Sequence, residues 1–238
     1  MDAQTERLAV LANNLANVAA AGFKADHPEF FQLLTSPRAA GSVSPTGSAA
    51  PLQQAHGAVQ TRTVFTPGAI RETGNTLDLA LDGPGFFVVG APEGQRLTRA
   101  GTFTRSPAGQ LVTLDGLPVL GTGGQPLTLP DRGQISVDER GQVSVDGGQV
   151  GALNIVEPAV ERLQKEAGTR FVAPPDVPLS PATATSVRQG AIELSNVNPI
   201  VTLVEMIDAL RVYEAAQRTA RGVDDTLRRA VNEVGRPA

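Results

Sequence analysis

The residues that could do chemistry in this chain are few, and their spacing argues against most of it. The only histidines are His27 and His56. His27 precedes Pro28 and His56 sits in a stretch rich in Ser, Pro and Gly. Neither has a partner at metal-binding or catalytic spacing, so both read as solvated side chains. Cysteine is absent, which removes disulfides, thiolate metal sites and cysteine nucleophiles. Asp78 and Asp82 stand at i and i+4 of an alternating stretch, roughly 13 Å apart on a strand. That is too far to act on one bond, and the outer face of a sheet accounts for them better. Gly83-x-Gly85 follows one strand and precedes another rather than a helix, so the dinucleotide reading fails on context. Asp138-Glu139-Arg140-Gly141 and Asp146-Gly147 lack the ligand series of a calcium loop and read as hairpin turns. Arg211, Arg218, Arg221, Arg228 and Arg229 make the chain's last helix basic, as solvated charges that complement a helix C-terminus. Contact with acidic surfaces of neighbouring subunits is the other use for them. The expectation is no catalytic, metal-binding or cofactor-binding set.

Composition narrows the classes further. A net charge of −4 gives no reason to expect nucleic acid. Aromatics are 4%, without Trp and with one Tyr, which argues against a large aromatic-lined pocket. Hydrophobic residues at 41% suffice for a core, in one or two domains. No apolar run is long enough to span a bilayer, so no membrane insertion is expected. The stretch Met1–Arg7 lacks the basic and apolar parts of a signal peptide. Work outside the cytoplasm would therefore need export without a cleaved Sec signal.

With so little chemistry, the elements themselves are the informative part. Ser195-Asn196-Val197-Asn198-Pro199 is a helix start: Asn198 can cap, and Pro199 suits the first helical position. Leu203, Met206, Leu210 and Tyr213, then Ala216, Ala220, Val223, Leu227, Ala230 and Val234, alternate steps of three and four with one break after Tyr213. That is a coiled-coil seam with a stammer. A helix of about 35 residues is roughly 50 Å long. Its stripe needs a partner segment or other subunits. At the other end, Asp2 to Ala21 reads as a helix with Leu8, Leu11, Leu15 and Val18 in a matching seam, stopped by Gly22 at C′. Asn13, Asn14 and Asn17 are unusual there. They are either surface amides near a fraying end or amides that bond across to neighbouring helices and set register.

Phe23, Phe30, Phe31, Leu33 and Leu34 form an apolar patch expected to pack the helix base onto the next part of the chain. Residues 1–35 thus form an N-terminal helical segment, and residues 36–58 a Ser/Pro/Gly-rich linker. From Val59 the pattern is of strands. Leu77, Leu79 and Leu81 alternate with Asp78, Ala80 and Asp82 as a half-buried strand, and Phe86-Phe87-Val88-Val89 is a buried one. Short strands continue through Arg96–Arg99, Thr102–Arg105, Gln110–Leu114 and Leu117–Leu120, then hairpins around Asp138–Gly141 and Asp146-Gly147-Gly148. Residues 59–173 are an antiparallel β domain, 174–194 a connector, and 195–238 the C-terminal coiled-coil helix. The expected fold is mixed α and β: the terminal helices form an antiparallel coiled-coil-like pair with an all-β domain inserted between them. Each stripe lacks a full partner in one chain, so mobile ends are expected before assembly.

Several stretches resemble a known family. Asn13-Asn14-Leu15-Ala16-Asn17-Val18 with Gly22-Phe23-Lys24 resembles the N-terminal signature of the bacterial flagellar rod and hook proteins. Gly74 to Phe87 is similar to that family's first β block, continued by Arg99-Ala100-Gly101-Thr102-Phe103 and Gly109-Gln110-Leu111-Val112. Gln189-Gly190-Ala191-Ile192-Glu193, Ser195 to Pro199, Met206-Ile207 and Tyr213-Glu214 resemble its C-terminal block. The single β domain and short chain are similar to the basal-body rod proteins. Arg99-Ala100-Gly101 and Pro118-Val119-Leu120-Gly121 resemble the proximal-rod FlgF type more than the distal-rod FlgG type. The family usually carries further residues ahead of the point where Met1 falls, so the resemblance implies an internal start or a truncation.

The resemblance implies a structural rod subunit, exported unfolded through the flagellar type III apparatus. It would stack with copies of itself and with other rod and hook subunits in the periplasm-spanning shaft, with ring proteins around it. The terminal helices would line the channel and the β domain would stand outside. The residues expected to carry self-assembly are Leu8, Leu11, Asn13, Asn14, Leu15, Asn17, Val18, Asn196, Asn198, Leu203, Met206, Ile207, Leu210, Tyr213, Ala220, Val223 and Leu227. Two other classes compete. A secreted adhesin or carbohydrate-binding β domain on a helical stalk predicts a ligand for the 59–173 fragment and no effect on motility. An enzyme needs a cleft with convergent polar groups, for which the sequence offers no candidates.

Overall fold

The computed structural model describes residues 2–31 and 58–234. Leu33, Leu34, His56 and nearly all of the 36–58 linker lie outside the described residues. Helix α1 runs Asp2–Ala16 and helix α2 runs Pro199–Val234, 36 residues long. The two helices are in contact, and the chain between them forms several antiparallel sheets.

The chain forms two compact units. One is a β body, made of Asn13–Ala25 and Thr63–Thr202. The other gathers α1 up to Ala12, residues 26–31 and 58–62, and α2 from Leu203 on. In that second unit, strands Asp26–Phe31 and Ala58–Thr63 pair with each other.

The body is organised by the strand Phe86–Ala91, which lies inside a six-stranded sheet between Gly94–Thr98 and Ile155–Glu157. Its four large apolar residues are all buried, and period-2 alternation sends them to opposite faces. Phe87 and Val89 enter one core with Leu79, Phe103, Leu111, Val119 and Val143. Phe86 and Val88 enter a second, with Leu97, Val156 and Phe171. Phe86 meets Phe171 edge-on at 5.9 Å, Phe65 closes the trio, and Phe87 meets Phe103 at 5.1 Å. A strand covered on both faces needs the continuous apolar run that the sequence carries here. The hairpin at Asp146-Gly147 has φ of 50° and 80°, the twist a two-residue turn requires, and joins Gln142–Val145 to Gly148–Ala152. At the turn before it, Asp138 Oδ1 accepts from the amides of Arg140 and Gln142, which is a turn and not an ion loop.

Four expectations are corrected. The 77–82 stretch is not half-buried: Asp78, Leu79, Ala80 and Leu81 are all buried, with Leu79–Asp82 paired to Ser186–Gln189 and the Leu79 amide donating to Gly101 O. Asp78 is therefore no outer-face carboxylate. It accepts hydrogen bonds from Thr73 Oγ1 and Asn75 Nδ2, and it bridges to Thr102. Strands also continue past residue 173: Ser180–Pro181 pairs with Ile155–Glu157, and Ala191–Glu193 pairs with Ile70–Glu72. Finally, α1 ends at Ala16 rather than Ala21. The Asn17 side-chain amide donates to Asn13 O, taking up a carbonyl of the last turn, and tighter turns come after it. Gly22 does not end the helix. With φ of +68°, it lies where a Cβ would stand 2.2 Å from the backbone of Arg99.

α2 begins where its start signal predicts. Asn198 Oδ1 accepts from the amides of Ile200 and Val201, and Pro199 is the first helical residue. Asn198→Ala is expected to cost about 1 kcal/mol. The loss should appear as faster amide exchange in the first turn of α2, with strand Phe86–Ala91 unaffected.

Candidate functional site

Two features stand out: an exposed apolar helix and a buried ionic cluster at its root. On α2 the covered residues are few. Among the described residues Thr202 and Ala209 are buried, and Glu205, Met206, Tyr213 and Gln217 are half-buried, so the covered positions follow one another along one side at helical spacing. That stripe is one face of the helix, and its most enclosed members are small. Leu203, Ile207 and Leu210 remain 48%, 43% and 43% exposed. Val223 and Leu227 are exposed, as is Ala220. Among the described residues, nine of the ten exposed large hydrophobics lie on α2; the tenth is Leu114. From Ile200 to Tyr213 apolar side chains occur on every side of the helix. A helix apolar all round belongs in an interior. Past Tyr213 the apolar residues shrink to one stripe, and Arg211, Arg218, Arg221, Arg228 and Arg229 are solvent-exposed.

On α1, Leu11 is 4% exposed, Leu8 and Leu15 are half-buried, and Asn13 is exposed. Asn14 is buried, and Asn17 bonds back to the last turn of its own helix. Val18 packs beside Phe23, Ala25 and Val197. Asn196 is a clamp: its Oδ1 accepts from the Ala25 amide, and its Nδ2 donates to the carbonyls of Val64 and Thr66.

The ionic cluster joins distant stretches of chain. Lys24 and Glu193 are 0% and 1% exposed, and Lys24 Nζ donates to Glu193 Oε1 at 2.6 Å and to Thr66 O at 2.9 Å. The Gly68 amide donates to the same Oε1. Arg99 Nε lies 3.3 Å from Glu193 Oε2, while its two terminal nitrogens donate to the carbonyls of Gly83 and Gly85. The guanidinium also stands over the Phe86 ring at 5.4 Å. Burial pushes the Lys24 ammonium below the ordinary lysine value, and its hydrogen bond and attraction to Glu193 oppose the shift. Burial lowers Arg99 likewise, with Glu193 and Asp82 opposing. Lys165 Nζ closes the cluster from outside. It donates to Lys24 O at 2.7 Å and sits 3.9 Å from the Phe23 ring centroid.

Lys24, Arg99 and Glu193 each stand inside a family-like motif, yet their spacing does not mark them as a set. The signal that could have found them is a charge placed in an apolar run, Gly22-Phe23-Lys24 and Ala191-Ile192-Glu193-Leu194, since a charge buried there requires a partner.

Neither feature is catalytic. A depression on the body lined by Glu72, Gly74, Arg188, Gln189, Gly190 and Ala191 brings one carboxylate and one guanidinium to its walls, with no nucleophile or base beside them. Among the described residues no group of three or more His, Asp or Glu could hold a metal ion, and no helix is long and apolar enough to cross a membrane.

Comparison with known proteins agrees with this picture. Residues 80–145 match the model for the flagellar hook protein FlgE/F/G D1 domain, and residues 188–233 match that for the flagellar basal body rod FlgEFG protein C-terminal region. The chain is 32% identical to the flagellar basal-body rod protein FlgF of Caulobacter vibrioides, over 96% of this chain and 92% of that one. It is also 32% identical to FlgG of Agrobacterium fabrum, over 94% and 92% of the two chains. To FlgG of Bacillus subtilis it is 30% identical, over 95% and 92%.

Proposed function

This chain belongs to the flagellar basal-body rod protein family of the FlgF and FlgG type, and from that we propose how it performs as a non-enzymatic structural subunit of the rod. Copies assemble with one another and with other rod subunits through α1 and α2. Leu203, Ile207, Leu210, Val223 and Leu227 are the contacts that assembly covers. The observation that supports this reading is the distribution of exposed apolar side chains, nearly all of which sit on α2 among the described residues. A helix of that kind needs neighbours on several sides over Ile200–Tyr213 and on one side beyond.

The subunit takes the proximal, FlgF-type position in the shaft. It leaves the cytoplasm through the flagellar type III apparatus without a cleaved Sec signal, and ring proteins meet the β body, which stands on the outside. Support for the proximal position is the Arg99-Ala100-Gly101 and Pro118-Val119-Leu120-Gly121 stretches. A clean deletion of the gene is expected to abolish filament assembly and swimming in soft agar, with recovery when the gene is returned. Normal swimming by the deletion strain would sink the reading.

A further inference from the structure

We infer that Lys24, Glu193 and Arg99 form a latch that couples the roots of the two terminal helices. Residues Asn13–Ala25 and Ser195–Thr202 are held or released together, independently of the β core beneath them. All of these residues lie in the body, so the inference concerns one unit and does not rest on the rod assignment.

Gly22–Ala25 is held in place by a short stretch far along the chain. The Gly22 amide donates to Glu193 O at 2.8 Å, and the Asn196 amide donates to Phe23 O at 3.4 Å. The Ala25 amide is taken by the Asn196 side chain, and the Lys24 ammonium by Glu193. Every one of these partners belongs to residues 193–196, the stretch that leads directly into α2. Phe23 and Ala25 pack on Val197 of the same stretch. The N-terminal root is therefore seated on the C-terminal root, and the charge pair lies at the centre of the seat.

Arg99 ties that seat to the sheet. It reaches the carbonyls of Gly83 and Gly85, next to the central strand, while its Nε faces Glu193 Oε2. The Gly22 backbone presses on that of Arg99, leaving no room for a side chain. Glu193 is thus shared: one oxygen serves the N-terminal root, the other the sheet. Removing its charge leaves two cations enclosed with no anion between them, which disfavours the seated state far more than loss of one neutral hydrogen bond would. The larger core does not depend on it, since Phe87, Val89 and their neighbours form an apolar cluster that includes none of the three charged residues. In consequence, a disturbance at one chain end reaches the other through this seat, and the Glu193 carboxylate is the charged group at its centre.

The test is amide hydrogen exchange on the full-length chain with Glu193→Gln, Lys24→Met and the double variant. Glu193→Gln should speed exchange at least about tenfold in both Asn13–Ala25 and Ser195–Thr202, leaving strand Phe86–Ala91 within about threefold of the parent. The double variant should be less loosened than Glu193→Gln alone, because no ammonium is left facing Arg99; a packing defect would add instead. Should Glu193→Gln fail to fold, Lys24→Met keeps the Arg99–Glu193 pair and still tests whether both roots loosen together. Loosening of only one root, equal acceleration through the core strands, or no change in either root would overturn the inference.

Discussion

Leu210→Asp is expected to abolish swimming while changing the body's stability by no more than about 0.5 kcal/mol. Leu210 is 43% exposed on α2 and lies outside the body, so the subunit on its own loses little by the substitution. Under the assembly proposed above the same position meets apolar neighbours, and a carboxylate brought there without a partner costs several kcal/mol at every copy. Repetition through a polymer makes the defect cumulative, which is why the expected effect is loss rather than attenuation. The measurement pairs soft-agar swimming of the complemented deletion strain with denaturant unfolding of the purified variant. Equal damage to both would count against α2 and the β body being separable modules. Unimpaired swimming would remove Leu210 from the assembly surface.

Phe87→Ala is expected to act the other way, lowering the stability of the isolated chain by about 3–5 kcal/mol. The ring is fully enclosed, packs edge-on against Phe103, and sits in the middle of the larger core. Neighbouring side chains cannot collapse into the space without distorting a strand that is paired on both edges and covered on both faces. A typical domain has only about 5–15 kcal/mol in total, so this single change is a large part of it. The midpoint of urea unfolding followed by far-UV circular dichroism checks it. A loss below about 1 kcal/mol would mean that the two cores do not share the strand as described.

These two residues also show what the sequence made legible. Phe87 was readable because four consecutive apolar residues between turns have few alternatives to a buried strand. α2 was readable from its cap and its repeat. What was not readable depends on long-range pairing. Nothing in Leu77–Asp82 reveals that Ser186–Gln189 pairs with it or that side chains on both of its faces are enclosed. The same holds for the triad: a charge in an apolar run marks Lys24 and Glu193 singly, but its members stand far apart in the chain and no spacing joins them as a set. The three asparagines near the end of α1 diverged for local reasons: Asn17 bonds back to its own helix, whereas Asn14 is enclosed. The face of α2 that one chain covers for itself runs along Thr202 and Ala209, beside the leucines rather than through them. Small residues are a weak signal until the neighbour that approaches them is known.

The thinness of that covered stripe has a consequence for the protein's life before it is built in. A freshly made copy displays a greasy rod to every other copy in the cell. Its tendency to clump rises with its own abundance, so stockpiling it is hazardous. Supply must keep pace with construction, or the helix must be masked until its turn comes.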